Sequence, residues 1–247
     1  MSSAGLNKIN MDAVRQQLAP HGSLRVALNM SNFLLVSATD DAGKPDGVSP
    51  SMAKAIAEDL GVALQLIPYD GPGLVADAAE RDEWDIATIA AEPARAKLIR
   101  FSPAYCEIQA SYLLPAESHI SSIEQIDRPG IKVAVKERAA YDLWLTDNLQ
   151  HASLHRASSH DATFELFVRD KLDALAGLRP KLLEQQSLLP GSVLIEESFT
   201  SVQQAIGCKH GNDEAARYLS DFVTAARERG DVSRLIDHYA MTGKLSV

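Results

Sequence analysis

Short apolar runs alternate with amphipathic helical segments through most of the chain, and this alternation constrains the fold more than any other feature. The first three runs cover residues 24–28, 62–67 and 85–90, and helical spacing of apolar residues fills the intervals between them. Short apolar runs bounded by turn residues predict buried strands. A repeated strand–helix–strand order predicts a mostly parallel sheet with right-handed crossovers.

A second series of the same kind follows and ends near Thr200. Its predicted strands, with helices between them, are residues 131–135, 153–156, 172–176 and 193–195. One more strand, at residues 201–208, precedes two amphipathic helices. The sequence therefore predicts an α/β fold made of two α/β units.

Composition excludes several classes of protein. The 247 residues carry a net charge of −9 without a cluster of Lys or Arg, so we expect no nucleic-acid partner. No apolar run approaches the roughly 18 residues that a membrane-spanning helix needs, so we expect no membrane-embedded segment. Cys106 and Cys208 are too few for a disulfide scaffold, and two buried thiols are favoured over a single bridge.

The sequence also suggests neither a metal nor a cofactor. His151 and His155 have the spacing of a helical metal pair, but residues 154–156 are predicted as a strand, which puts the two side chains out of register. The N-terminal residues lack the basic and apolar regions of a secretory signal, so the chain as written would stay in the cytoplasm. A sequence from which a signal had been removed would look the same.

A candidate ligand site follows the predicted strand at residues 85–90. Pro93 marks a turn there, and Arg95 lies in the short helix that follows. Ligands of α/β sheets bind beyond the carboxyl ends of the strands, and a guanidinium can bond both oxygens of a carboxylate. Arg95 is therefore a candidate carboxylate ligand. The alternative is a surface arginine that pairs with Glu92 or Asp85.

Several segments match a known pattern in their order and spacing. They are LRVAL, the D-x-x-G-K-x-x-G run from Asp40 to Gly47, MAKAIAEDLGV, WDIA, PARAKLIRFSPAYCE, IKVAVK, KLDALAG-x-RP, QQAIGCKHG and ERGDVSRLIDHYA. From about Leu24 to Gly243 the chain resembles the type II periplasmic solute-binding proteins. The resemblance is greatest to the polar amino-acid-binding group, bacterial extracellular solute-binding protein family 3.

This resemblance implies a periplasmic-binding-protein type II fold, in which two Rossmann-like lobes are joined by two hinge strands and close on a ligand. It places the crossings near residues 107–111 and 199–203. Lobe 1 would comprise residues 1–108 and 203–247, and lobe 2 residues 109–202. It also implies a monomer that captures a small molecule for an ABC permease, and a periplasmic location if the chain is exported.

The same resemblance assigns roles to individual residues. Arg95 stands where such proteins hold the α-carboxylate of the ligand. Lys136 stands where the second lobe often faces the cleft, although a surface lysine at a strand end is the alternative. Arg138 replaces a glycine of the family pattern and would add a second cation. Tyr141 is expected either in the cleft or in the core.

Two further groups of residues are expected near the ligand. Asn29, Asn32 and Phe33 follow the first strand and are expected to line the cleft. Glu92 is interpreted either as an anionic group for the ligand or as the N-cap of the turn that follows it.

Two substitutions remove the usual partners of an ammonium group. Ala90 stands where the family commonly has a threonine, and Leu178 stands where the second lobe commonly has an aspartate. A buried ammonium without an anionic partner costs several kcal/mol. We therefore predict a ligand that has a carboxylate but is not held as an ordinary α-amino acid. A carboxylate lacking the amino group, a dicarboxylate and an N-substituted amino acid all satisfy this condition.

We expect a binding protein rather than an enzyme. One alternative is a cytosolic ligand sensor or scavenger of the same fold. Another is a lyase similar to cyclohexadienyl dehydratase. A lyase needs a general acid in the cleft, and Glu92 and Glu137 are the candidates for that role.

Overall fold

The computed structural model describes residues 9–247 of the chain. The helices are α1 (Met11–Leu18), α2 (Val48–Leu60), α3 (Pro72–Asp77), α4 (Ala140–Asn148), α5 (His160–Arg169), α6 (Arg179–Leu188), α7 (Asp213–Glu228) and α8 (Asp231–His238). The strands are β1 (Ser23–Asn29), β2 (Ala38–Thr39), β3 (Pro45–Asp46), β4 (Ala63–Tyr69), β5 (Ile86–Ala90), β6 (Ile99–Phe101), β7 (Cys106–Leu114), β8 (Lys132–Lys136), β9 (Ser153–Ala157), β10 (Ala174–Leu178), β11 (Val193–Leu194) and β12 (Thr200–Lys209). Short 3-10 turns cover Ala78–Glu80, Arg95–Lys97 and Ile123–Gln125.

Three parallel strands form one side of the large sheet. β1 lies between β4 and β5, with Ala27 opposite Ile67 on one side and Ala87 on the other. α2 lies between β1 and β4 in the chain and buries the face that carries Ile56. Gly61 caps the C-terminal end of this helix with a φ of 69°, a left-handed conformation that glycine adopts with little steric strain. The parallel α/β arrangement predicted for this part of the chain is confirmed.

A second parallel group lies at the other side of the sheet. β8 lies between β9 and β10, with Ala134 opposite His155 and Leu175. α5 follows β9 and begins at His160. Ser159 is the N-cap, and its hydroxyl accepts a hydrogen bond from the Ala162 N–H at 3.1 Å. Any of several consecutive polar residues can cap a helix, so the backbone path decides which one does.

β7 and β12 lie side by side between the two parallel groups. They are antiparallel, with Gln204 opposite Cys106 and Thr200 opposite Ala110. The later part of β12 also pairs with β5 and β6, and the later part of β7 pairs with β10 and β11. The order across the large sheet is β4-β1-β5-β12-β7-β10-β8-β9.

The chain passes from the first group to the second along β7 and returns along β12, which is the connection expected of two hinge strands. The lobe boundaries stay a prediction. The predicted units are the first lobe (residues 1–108 and 203–247) and the second lobe (residues 109–202).

The two cysteines are buried free thiols. Burial raises the pKa of both thiols above the usual range, which makes them poor nucleophiles. Within residues 9–247 there is no group of three or more His, Cys, Asp or Glu side chains placed to hold a metal ion. Over the same range, no helix combines the length and the apolarity that crossing a membrane requires.

Candidate ligand-binding site

A small cavity lies between the two lobes, where four strands end. Its volume is about 40 Å³, which corresponds to room for roughly three water molecules. The last residues of β1, β5, β8 and β10 reach it, and they are Asn29, Ala90, Lys136 and Leu178. The other lining residues are Ser31, Asn32, Pro72, Arg95, Ala139, Ala140, Tyr141, His160, Val202 and Gln204. The cavity therefore lies beyond the carboxyl ends of the strands, where α/β sheets bind ligands.

Arg95 faces this cavity from the first lobe and is only 4% exposed. One guanidinium nitrogen, Nη1, donates to the Ala90 carbonyl at 2.9 Å, and Nη2 donates to the Arg138 carbonyl of the second lobe at 3.1 Å. Burial lowers the pKa of Arg95 to about 10, so the group is still charged at neutral pH. Both hydrogen bonds go to carbonyls, so within residues 9–247 the positive charge has no anionic hydrogen-bond partner.

The acidic residues near Arg95 in sequence are not its ion-pair partners. Asp85 instead pairs with Arg25, whose Nη2 lies 2.7 Å from Oδ1 of the carboxylate. In the described part of the chain, no carboxylate oxygen lies within 4.0 Å of the Arg95 guanidinium. The surface ion pair considered from the sequence is therefore not formed.

Lys136 faces the same cavity from the second lobe and is 5% exposed. Its amine lies close to Gly71 of the first lobe, since a Cβ built on that glycine would be 3.8 Å from Nζ. Burial lowers the pKa of Lys136, and the positive charge of Arg95 lowers it further, whereas the carboxylates of Glu137 and Asp142 partly offset this shift. Two buried cationic side chains thus converge on the cavity from opposite lobes.

His160 lines the cavity and was not predicted from the sequence. It is the first residue of α5, and burial together with the charge of Lys136 lowers its pKa to about 4. The ring is therefore neutral at pH 7. Its edge meets the ring of Phe33, with the centroids 6.0 Å apart. Phe33 itself does not line the cavity, because it packs between this histidine and Lys181, whose Nζ lies 5.6 Å from the ring centroid.

The loop after β1 brings two asparagines to the cavity. The Asn29 side-chain oxygen accepts hydrogen bonds from the N–H of Ser31 at 3.2 Å and from its hydroxyl at 2.8 Å, so Asn29 stabilises the loop. The Asn32 Oδ1 is buried and has no hydrogen-bond partner within residues 9–247. An unpaired buried acceptor of this kind suits a donor on a ligand or a bridging water.

Tyr141 and Gln204 complete the polar part of the wall. Tyr141 is 3% exposed, and burial raises the pKa of its hydroxyl, so the ring stays neutral. Gln204 is also 3% exposed and comes from β12, one of the two connecting strands. Gln204 was not predicted from the sequence because it lies within a strand segment rather than after one.

Arg138 lies outside the cavity. Its guanidinium makes two hydrogen bonds to the Asp77 carboxylate, at 2.6 and 2.9 Å, and a third to the Gly73 carbonyl at 3.0 Å. Its backbone has a φ of 58°, the left-handed conformation for which the family pattern uses glycine. The residue therefore binds the opposite lobe instead of adding a cation to the cavity.

Glu92 and Glu137 also lie outside the cavity lining. Glu92 is half-buried, and burial raises the pKa of its carboxyl to about 7. Ala94 rather than Glu92 is the residue that immediately precedes the turn at Arg95. Glu137 is exposed. The cavity is therefore lined by two cations, neutral polar groups and hydrocarbon, with no acidic side chain among its lining residues.

The fold is that of a type II periplasmic binding protein. Over residues 24–242 the chain matches the family described as Bacterial extracellular solute-binding proteins, family 3. This chain belongs to that family.

Individual relatives include both a binding protein and an enzyme. The cyclohexadienyl dehydratase of Pseudomonas aeruginosa is 26% identical over 225 residues, which cover 88% of this chain and 82% of that protein. An ancestral amino acid-binding protein, described as a precursor of cyclohexadienyl dehydratase, superposes with a TM-score of 0.71 at 21% identity over 93% of this chain and 98% of that chain.

Solved structures of transporter components are similar as well. A putative ABC transporter binding component from Wolinella succinogenes, complexed with lysine, has a TM-score of 0.72 at 19% identity over 88% of this chain and 95% of that one. An amino acid ABC transporter substrate-binding protein from Streptococcus pneumoniae, bound to L-arginine, has a TM-score of 0.72 at 21% identity over 90% and 96%. At these identities the structures establish a shared fold.

Proposed function

We propose that this protein captures a small carboxylate-bearing ligand between its two lobes and delivers it to an ABC permease. The observation that carries the proposal is the buried guanidinium of Arg95, which faces the cavity without an anionic partner in the described chain. A buried unpaired charge is costly. A ligand carboxylate would neutralise it through charge-assisted hydrogen bonds to the N–H groups that the Ala90 and Arg138 carbonyls leave free.

The walls of the cavity favour an acid that lacks a free α-ammonium group. Ala90 and Leu178 present hydrocarbon at the positions where the family pattern has a hydroxyl and a carboxylate. Two of the structures above are described as complexes, one with lysine and one with L-arginine. In this chain the ammonium of such a ligand would meet two cations, Arg95 and Lys136, and no acidic lining residue. This contrast supports a ligand class different from the free amino acids.

Delivery to a permease and a location outside the cytoplasm are parts of the same proposal, and membership of the family supports both. Fractionation of the native host cells tests the location. A cross-link between this protein and a permease subunit tests the delivery step.

Isothermal titration calorimetry of the purified protein tests the ligand class. The panel contains short monocarboxylates, dicarboxylates, 2-oxo acids and the standard amino acids. Saturable binding of acids without an amino group, with the amino acids silent, is the expected result. Tight binding of a free standard amino acid, with the other acids silent, contradicts the proposal.

A second candidate function is a lyase, favoured by the dehydratase relative. Its general acid would be Glu92, which lies outside the cavity lining and would have to reach the substrate from there. A carboxyl with a pKa of about 7 is half-protonated at neutral pH, which suits a general acid. Incubation with carboxylates that carry a hydroxyl leaving group, followed by NMR detection of the unsaturated product, tests this candidate. Turnover that is lost in Glu92→Gln and retained in Glu137→Gln would establish the lyase and replace the binding proposal.

A further inference from the structure

We infer that the ligand carries two anionic groups, one for Arg95 of the first lobe and one for Lys136 of the second. The ligand class is a short-chain dicarboxylate or another small acid with two anionic oxygen groups. This inference rests on the proposed function and deepens it, because the proposal above requires only one carboxylate.

Lys136 is the observation behind the second anionic group. Its side chain is nearly fully buried, yet no salt bridge or side-chain hydrogen bond of Nζ is found in the part of the chain that the structure describes. A structural lysine is rarely buried without a partner. Lys136 lines the cavity, so an anionic group of a ligand bound there would compensate the charge of its Nζ.

The other cations nearby already have partners or carry no charge. Arg138 is neutralised by Asp77 of the opposite lobe. Lys181 lies within 4.0 Å of Asp161 and Glu184. His160, which lines the cavity as Lys136 does, is neutral because burial and the charge of Lys136 lower its pKa. Arg95 and Lys136 are therefore the two cations of the cavity that have no ion-pair partner within 4.0 Å among residues 9–247.

The acidic groups around Lys136 do not take the place of a ligand. Asp142 is engaged by Arg156, whose Nε lies 2.9 Å from Oδ1, and by the Arg138 N–H at 2.7 Å from Oδ2. Glu137 is exposed. Glu92 interacts electrostatically with Arg95, and because its pKa is raised to about 7 it is only partly charged at neutral pH.

Closure of the lobes makes the number of ligand charges important. Arg95 and Lys136 come from different lobes, so closure brings two positive charges to one cavity of about 40 Å³. A monocarboxylate would neutralise one of them and leave the other buried and repelled. A dianion neutralises both and joins the lobes through its two ends. Room for roughly three waters is less than even oxalate, with its six non-hydrogen atoms, occupies, so the lobes must part to admit a dianion, and the shortest acids require the least opening.

Calorimetry with matched pairs of acids tests the inference. The dicarboxylates are oxalate, malonate, succinate and glutarate, and each is compared with the monocarboxylate of the same carbon number. The wild-type protein is expected to bind at least one dicarboxylate at least about tenfold more tightly than its matched monocarboxylate. In Lys136→Met this preference should disappear because the dicarboxylate affinity falls, whereas Lys54→Met, a change at an exposed lysine, should preserve it.

The outcomes separate the two proposals. Equal affinities within every matched pair in the wild type would overturn the dianion and leave the carboxylate site intact. An unchanged dicarboxylate preference in a folded Lys136→Met would do the same. Failure of every acid to bind the wild type overturns the carboxylate site and the dianion with it. Small-angle X-ray scattering adds a second readout, since the dicarboxylate should compact the wild type and not Lys136→Met. Thermal unfolding confirms that the variant is folded, and Lys136→Gln replaces it if it is not.

Discussion

Arg138 of the second lobe and Asp77 of the first form a two-point ion pair across the gap between the lobes. Nη2 and Nη1 of the arginine lie 2.6 and 2.9 Å from the two carboxylate oxygens. The hydrogen bonds from Arg138 lower the pKa of Asp77, so the pair is charged over the physiological range. The two side chains are 50% and 46% exposed, so the pair is expected to contribute at most about 1 kcal/mol.

Loss of this ion pair should favour the open form. Asp77→Asn is expected to weaken ligand binding by up to about fivefold, because about 1 kcal/mol of closed-state stabilisation is lost. Calorimetry measures the affinity, and small-angle scattering of the ligand-free protein should show a larger radius of gyration. Asp170→Asn is the matched control, since its partner Arg169 lies in the same lobe. An identical radius and affinity in Asp77→Asn would mean that the pair does not affect closure.

Gly73→Ala tests the same contact from the other side. A Cβ at residue 73 would lie 2.5 Å from the guanidinium carbon of Arg138, so the arginine must move away. Alanine favours helix over glycine by about 1 kcal/mol, so α3 itself should not be weakened. The expected result is a more open ligand-free protein with an unchanged or raised melting temperature. A closed protein with full affinity would show that the arginine keeps its contacts.

Glu92 should make stability depend on pH. Its folded pKa is raised from 4.5 to about 7 by burial, so the folded state holds the proton more tightly than the unfolded state does. Its contribution to stability is therefore present below pH 4.5 and is lost as the pH rises through 7. Glu92→Gln should equal the wild type near pH 4 and exceed it above pH 7 by on the order of 1 kcal/mol, allowing for the solvent around a half-buried group. Urea denaturation across this range measures the difference.

The control for that experiment is Glu137→Gln, at an exposed neighbouring carboxyl. Its free energy of unfolding should run parallel to that of the wild type. If the free energy of unfolding of Glu92→Gln also ran parallel to that of the wild type across this pH range, Glu92 would titrate as a solvated group.

Restoring the family pattern should change the ligand class. The double variant Ala90→Thr, Leu178→Asp places a hydroxyl and a carboxylate at two positions that now line the cavity with hydrocarbon. We expect calorimetry to show new binding of a free amino acid and weaker binding of the acids, because the added carboxylate repels an anion. Ala90→Thr, Leu178→Asn adds no charge and should not produce this exchange. If neither variant binds amino acids, these two positions do not determine the ligand class.

The strands and the position of Arg95 could be predicted from the sequence because both depend on local patterns. The apolar run ending at Ala90 and the turn after it identify a strand end, and ligands bind there. Side-chain directions could not be predicted in the same way. Arg138 comes only two residues after Lys136, the last residue of β8, yet it points to Asp77, a residue 61 positions away, and not to the cavity.

His160 was missed for a similar reason. It reaches the cavity only because α5 of the second lobe packs beside the loop after β1, and no local pattern encodes that long-range contact. A polar residue at the start of a helix that follows a strand is the signal that would have suggested it.

The affinity of Arg95→Ala for the best carboxylate of the calorimetric panel tests the central claim most directly. The claim predicts a loss of at least about tenfold relative to the wild type, on the scale of one charge-assisted pair. Arg169→Ala, which removes an exposed arginine of the second lobe, should leave the affinity unchanged. Wild-type affinity in a folded Arg95→Ala would contradict the claim and place the carboxylate elsewhere.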